Sequence, residues 1–284
     1  MITVNSVSGG KTSAYIAANY PADYNVFALV RTDDKKCLYP DAKVRQMVSD
    51  RIGKEFIGTL EDDIIIKTIF DLEQYIGSPI DWVSGISFDE VVKTKGGWLP
   101  NKLHRYCTTE MKIVPFFHWW HKKINEPFEV RIGFRANEQR RAKVTNEKLN
   151  DNGLLEIKAS VSKHPDGRNK WQVFEWQKPV FPLIKDGIFK DNVEQYWKDK
   201  PVRFAWMNNC TGCFHRNEVL LKKMFELHPN KLQWFADQEK GRKKKDTWRR
   251  VGSITYEKIK NHKTQMEISF DDFDDSCDSG SCGL

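Results

Sequence analysis

The chain has 284 residues, 39% of them hydrophobic, and carries 46 Lys and Arg against 39 Asp and Glu, for a formal charge of +7. That length fits one large domain or two small ones, and ten Trp with seventeen Phe supply bulky filling for a core. No apolar run approaches membrane-spanning length, and the N-terminus opens on a strand without a basic leader, so a cytoplasmic protein with no secretory signal is expected.

In chain order, a β-branched strand is predicted over residues 2–7 and a helix over 11–19, closed by Pro21. A buried-type strand follows over 24–31, a helix over 41–52, a short strand over 56–60 and a helix over 61–75. Residues 86–103 read as a mixed connector around Gly96-Gly97. A helix is predicted over 108–123 and a strand over 129–134, ending in a polar turn at 135–141. Turn signals at Asp151-Asn152-Gly153 and Pro165-Asp166-Gly167 mark 142–173 as an insertion or long hairpin. Residues 179–184 return toward the core, 191–198 read as a helix capped by Asp191, and two helices follow over 217–227 and 231–238. Strands alternating with helices imply a parallel sheet with crossover helices, whose ligands bind beyond the carboxyl ends of the strands. The expected organisation is an α/β unit over 1–205, a cysteine-bearing helical region over 206–270 and an acidic, mobile tail over 271–284.

Strand one runs straight into Ser8-Gly9-Gly10-Lys11-Thr12-Ser13. Glycines that let backbone approach a phosphate, followed by a helix N-terminus, form an oxyanion cradle. Gly10-Lys11-Thr12 fits the end of the Walker A pattern, but Asn5 stands where its first glycine belongs. The segment instead fits the PP-loop pattern S-G-G-x-[DT]-S at every position.

Six cysteines stand at 37, 107, 210, 213, 277 and 282. In a cytosolic chain their spacing suggests metal or redox work more than disulfides. The Cys210-Thr211-Gly212-Cys213 motif suits zinc, iron or dithiol cycling, with His104 and His215 near enough in sequence to serve zinc. The run from Lys240 to Arg250, with Trp248 inside it, is basic enough for nucleic-acid contact, or else it is a solvated face.

Further motifs line up in order. Arg105-Tyr106-Cys107-Thr108-Thr109-Glu110-Met111-Lys112 resembles an R-x-C-T-x-x-x-K segment, and Gly133 to Arg141 resembles G-x-R-x-x-E-x-x-R. Pro182-Leu183-Ile184 followed by Asp191-Asn192-Val193 is similar to a "PL(I)…DV" stretch, with Asn192 inserted. With the C-x-x-C, these motifs identify a resemblance to the PAPS reductase-like family of PP-loop proteins over residues 2 to about 228.

The resemblance implies the adenine-nucleotide α-hydrolase fold, a Rossmann-like twisted and mostly parallel sheet with helices on both faces. It implies binding of ATP or an adenylyl sulfate, and ATP-using members split the α–β bond, release pyrophosphate and adenylate a substrate. Ser8, Gly9, Gly10, Lys11, Thr12 and Ser13 would hold the pyrophosphate, Lys11 would neutralise the leaving group, and Arg135, Arg140, Arg141 and Lys112 would meet phosphate or sulfate oxygens. Glu138 would orient an arginine or help bind Mg²⁺. Cys107, Cys210 and Cys213 would hold an iron–sulfur cluster of the 4Fe-4S type with one open iron, zinc being the alternative, and Cys37, Cys277 or Cys282 would be a fourth ligand. The leading expectation is a sulfurtransferase acting on DNA or tRNA with a cysteine desulfurase as sulfur source. The alternative is a sulfonucleotide reductase using Cys282 as nucleophile with a thioredoxin-like donor. A third is a non-catalytic nucleotide- or nucleic-acid-binding protein.

Overall fold

A computed structural model describes residues 1–241, 247–249 and 254–262. Six strands form one sheet: β1 (Thr3–Val7), β2 (Tyr24–Leu29), β3 (Ile80–Ser84), β4 (Phe128–Arg131), β5 (Leu155–Lys163) and β6 (Asn169–Val180). Their order is β3-β2-β1-β4-β6-β5, all neighbours parallel except the β5/β6 hairpin. The connecting helices are α1 (Lys11–Asn19), α2 (Ala42–Ile52), α3 (Asp63–Ile76), α4 (Phe88–Thr94), α5 (Tyr106–Thr108), α6 (Val114–Lys123), α7 (Gln139–Asn146), α8 (Pro182–Lys185) and α9 (Lys190–Trp197). After them come α10 (Glu218–Leu227), α11 (Pro229–Glu239) and α12 (Tyr256–Asn261). This is the mixed α/β, Rossmann-like architecture that the alternation of elements predicts.

Alternation along the strands explains the layers. Val7, Phe27, Leu29, Ile80 and Trp82 face α1, α3 and α9 on one side of the sheet. Val4, Val26, Val83, Phe128 and Val130 face the aromatic side of α6 (Phe116, Phe117 and Trp120) on the other. A third cluster lies beyond the carboxyl ends of the strands. It joins Val30, Leu60, Phe88 and Met111 to Leu221, Met224, Phe235, Trp248 and Tyr256, so buried apolar contact is continuous across position 205. Among the described residues, no helix is long and apolar enough to cross a membrane.

Several local expectations are corrected. Residues 56–60 form no strand; Gly58 makes isolated bridges to Thr32 and Leu38. The segment's backbone bonds go to two different loop residues, Thr32 N–H to Gly58 O and Tyr39 N–H to Ile57 O, both at 2.9 Å, and a Cβ on Gly58 would sit 1.9 Å from the Cys37 carbonyl oxygen. The third strand is β3, where Asp81 interrupts the apolar run and is used at the sheet edge by Trp119 Nε1 (2.9 Å) and Lys123 Nζ (2.6 Å). The start of α9 is capped by Asn192, whose Oδ1 accepts from Phe189 N–H at 2.8 Å, while Asp191 lies in the first turn. The polar turn after β4 is shorter than expected because α7 takes up residues from Gln139 onward, and the hairpin starts at Leu155.

Candidate functional site

The 8–13 loop leaves the carboxyl end of β1 and enters α1 directly. Gly9 has φ +79°, and a Cβ there would lie 2.6 Å from Ile65 Cγ2 on α3, so only glycine fits without displacement. Gly10 is the extended N-cap of α1, and the helix ladder begins with Ala14 N–H to Gly10 O at 3.0 Å. The N–H groups of Lys11, Thr12 and Ser13 therefore belong to the turn that lacks intrahelical acceptors. The Ser13 hydroxyl fixes the loop: Oγ accepts from Ser8 N at 3.1 Å, donates to Gly10 O at 3.0 Å and lies 2.9 Å from Ser8 Oγ. Ser13 thus shapes the cradle, whereas Lys11 and Thr12 line a cleft of about 230 Å³.

Arg135, Lys190, Glu194 and Asn208 line the same cleft, walled by Phe204, Ala205 and Trp206. Lys11 is paired with Glu194 of α9, and Trp197 Nε1 donates to Lys11 O at 2.9 Å. Arg135 is 4% exposed and is held by Glu138, whose Oε2 accepts from Arg135 N at 2.9 Å and Nε at 3.0 Å. The other oxygen of Glu138 pairs with Arg141, which lies over the Phe134 ring 4.4 Å from its centroid. Glu138 is therefore engaged by two arginines. Arg140 is exposed on α7, and neither it nor Arg141 lines the cleft. The cleft wall carries Lys11, Lys190 and Arg135 with the carboxylate of Glu194, and Glu138 stands behind Arg135, so the lining favours a polyanion.

The three expected cysteines converge elsewhere on the same end of the sheet. Cys107, Cys210 and Cys213 line one small apolar cavity of about 40 Å³ with Arg105, Lys112 and His215. The C-x-x-C loop is docked on the segment before α3: Glu61 bridges Cys210, and Thr211 N–H and Oγ1 bond Leu60 O at 2.8 and 3.0 Å. Gly212 is required there, because a Cβ would meet the Phe235 ring at 2.3 Å, and Tyr256 OH donates to Gly212 O at 2.8 Å. Burial raises the Cys107 thiol, against hydrogen bonds from Thr108, and raises Cys210 well above the usual thiol value, with the Glu61 charge adding to it. Lys112 is 3.1 Å from Glu61 Oε1, so it sits beside the cysteines and not in the Lys11 cleft. Cys37 lies outside this cavity; it is buried and its Sγ contacts Asn230 O at 3.8 Å.

Consecutive residues line the two cavities, Asn208 the Lys11 cleft and Asn209 the cysteine cavity. Asn209 has φ +64°, a left-handed turn that Asn tolerates better than most residues, and it redirects the chain from one cavity to the other.

No protein-family model matches this chain, and no curated protein matches it in sequence.

Glu194, Lys190, Trp206 and the Asn208-Asn209 pair were not singled out from sequence. Only the Asn-Asn step before the C-x-x-C offered a local signal, as a residue type suited to φ > 0. Trp248 departs from expectation: it is fully buried against Phe235 and Tyr256, its Nε1 donating to Phe235 O at 2.8 Å, so it presents no face to a base. Cys277, Cys282, the acidic tail and most of the basic 240–250 run lie outside the described residues.

The cysteine set suits a metal in donor type, being three thiols beside the cations Arg105 and Lys112. Among the described residues, however, no three such groups are spaced as a metal-binding set.

Proposed function

We propose that this protein is a cytoplasmic ATP pyrophosphatase-type enzyme of the PAPS reductase-like kind, which adenylates an acceptor on nucleic acid for sulfur transfer from the cysteine cavity. The observation that carries the reading is the joining of the 8–13 cradle, Lys11 and the clamped Arg135 in one cationic cleft beyond the carboxyl end of β1.

ATP enters with its β- and γ-phosphates on the first-turn N–H groups of α1, and Lys11 exchanges Glu194 for phosphate oxygens. Arg135, pre-oriented by Glu138, faces the α-phosphate, and Trp206 offers a wall to the base. An acceptor oxygen attacks the α-phosphorus, the α–β bond breaks, and pyrophosphate leaves with its developing charge met by donors already in place. A sulfur nucleophile then displaces AMP from the acceptor, forming the new bond to sulfur as the carrying oxygen departs with AMP. A persulfide-bearing donor of the cysteine desulfurase class passes its outer sulfur to one cavity cysteine and leaves as a thiol; that outer sulfur is the nucleophile, a second cavity thiolate then cleaves the resulting acceptor–S–S–Cys bond to free the thiolated acceptor, and a dithiol reductant of the thioredoxin class reduces the Cys–Cys disulfide left behind. Where an iron–sulfur cluster is bound, Cys107, Cys210 and Cys213 would hold it, and it would supply an open iron for sulfide. Magnesium would come with the nucleotide.

The test is the product pattern from ATP labelled at the α-phosphate, with and without mixed RNA or DNA fragments. Expected are AMP and pyrophosphate, increased by nucleic acid. ADP with inorganic phosphate as products would overturn the reading.

A further inference from the structure

The segment from Lys93 to Arg105 reads KTKGGWLPNKLHR, with no acidic residue. It takes in the last two residues of α4 and the connector after it, and runs directly into Cys107 on the cysteine-bearing helical turn. Trp98 is 53% exposed and Leu103 80% exposed, and Lys93, Lys102 and His104 are exposed beside them. Lys95 is neutralised by Glu110 at 2.7 Å, while Lys93, Lys102 and Arg105 make no ion pair among the described residues. Arg105 lines the cysteine cavity, and its Nε is buried with no hydrogen-bond partner among the described residues.

We infer that this loop is the docking surface for an unpaired nucleic-acid strand, presenting the acceptor to the cysteine cavity. The inference rests on the sulfur-transfer reading above and adds where the acceptor binds and in what form. Lys93 and Lys102 contact the phosphate backbone, and the Trp98 ring stacks on a base. A single strand fits better than a duplex, because its bases have faces to offer and need no unstacking first.

A second basic and aromatic surface exists on the hairpin, where Trp171 and Val173 are 58% and 61% exposed near Lys158 and Lys170. Topology decides against it. Gln177 pairs with Phe128 at the amino end of β4, so residues 169–176 run out past the end of the sheet opposite both cavities. Of these two surfaces, the 93–105 loop is the one joined to the cysteines.

The experiment is fluorescence anisotropy of the full chain with a labelled oligonucleotide of about 20 residues, as single-stranded RNA, single-stranded DNA and duplex. At least one single-stranded probe is expected to bind more tightly than the duplex. Trp98→Ala should weaken that binding about tenfold and Trp98→Phe should restore most of it, because stacking survives on a smaller ring. Lys93→Gln with Lys102→Gln should reduce the slope of log affinity against log salt by about 1.4. Trp171→Ala with Lys158→Gln should leave affinity unchanged. The inference is overturned if neither single strand binds, if Trp98→Ala binds as wild type, or if the hairpin variant loses as much. It is equally overturned if polyglutamate competes as well as unlabelled oligonucleotide, which would assign the surface to acidic protein. Product analysis on the same samples separates the two readings. ADP formation with Trp98-dependent binding removes the adenylation reading and leaves the docking surface; pyrophosphate formation with Trp98-independent binding does the reverse.

Discussion

At Gly9 two constraints coincide, a left-handed φ of +79° and the Ile65 methyl 2.6 Å from where a Cβ would stand. Gly9→Ala is therefore expected to lower stability by about 1–3 kcal/mol and to distort the cradle, measured by urea unfolding and by nucleotide titration of the folded fraction. Residue identity made the loop legible in the sequence, since two glycines, a lysine and two hydroxyls after a strand leave few other uses. What single residues could not reveal was their division of labour. Ser13 turns inward to brace the loop, Lys112 pairs with Glu61 beside the cysteines, and Arg140 stays in solvent. Ser13 depends on the local fold of the loop itself, Lys112 on a partner 51 residues away, and Arg140 on a helix that the sequence reads as a polar turn.

At the level of elements, α11 and the residue before it are tied to the segment before α3 on which the C-x-x-C loop docks. His228 Nε2 lies 3.2 Å from Asp62 Oδ2, and Lys231 Nζ reaches Glu61 O at 2.6 Å and Asp63 Oδ1 at 2.7 Å. Burial pushes the Asp62 carboxyl up, but hydrogen bonds from His228 and Ile64 N–H, with the nearby His228 and Lys231 charges, bring it below the ordinary range. A depressed carboxyl stabilises the fold fully above the unfolded value of about 3.9 and loses that contribution as pH falls through its folded value. Wild-type stability should accordingly decline below about pH 4. Asp62→Asn should flatten that limb while costing about 1 kcal/mol near neutrality, from chemical denaturation across pH. An Asp62→Asn acid limb as steep as wild type would contradict it. Long periodic helices such as α3 were readable from sequence because their apolar stripe is local. β3 was not, because Asp81 breaks a short run whose partners, Trp119 and Lys123, lie on α6.

Across the whole molecule, two cavities lie beyond the carboxyl ends of the central strands, lined by the consecutive residues Asn208 and Asn209. The alternation of strands and helices was enough to anticipate the parallel sheet, but not that Phe214 and, on α11, Phe235 would line the cysteine cavity with Trp248 buried behind them. The apolar faces of the helices after residue 213 become informative only once the sheet gives them something to cover. Everything proposed for the chemistry depends on a nucleotide seated on the 8–13 loop with Lys11 on its phosphates. The most direct test is calorimetric titration with the non-cleavable α,β-methylene analogue of ATP, comparing wild type with Lys11→Ala. One-to-one binding by wild type and an affinity lower by about tenfold or more in Lys11→Ala are predicted, the loss expected for a charge-assisted phosphate contact. Absence of binding by wild type, or equal affinity in the two proteins, would contradict it.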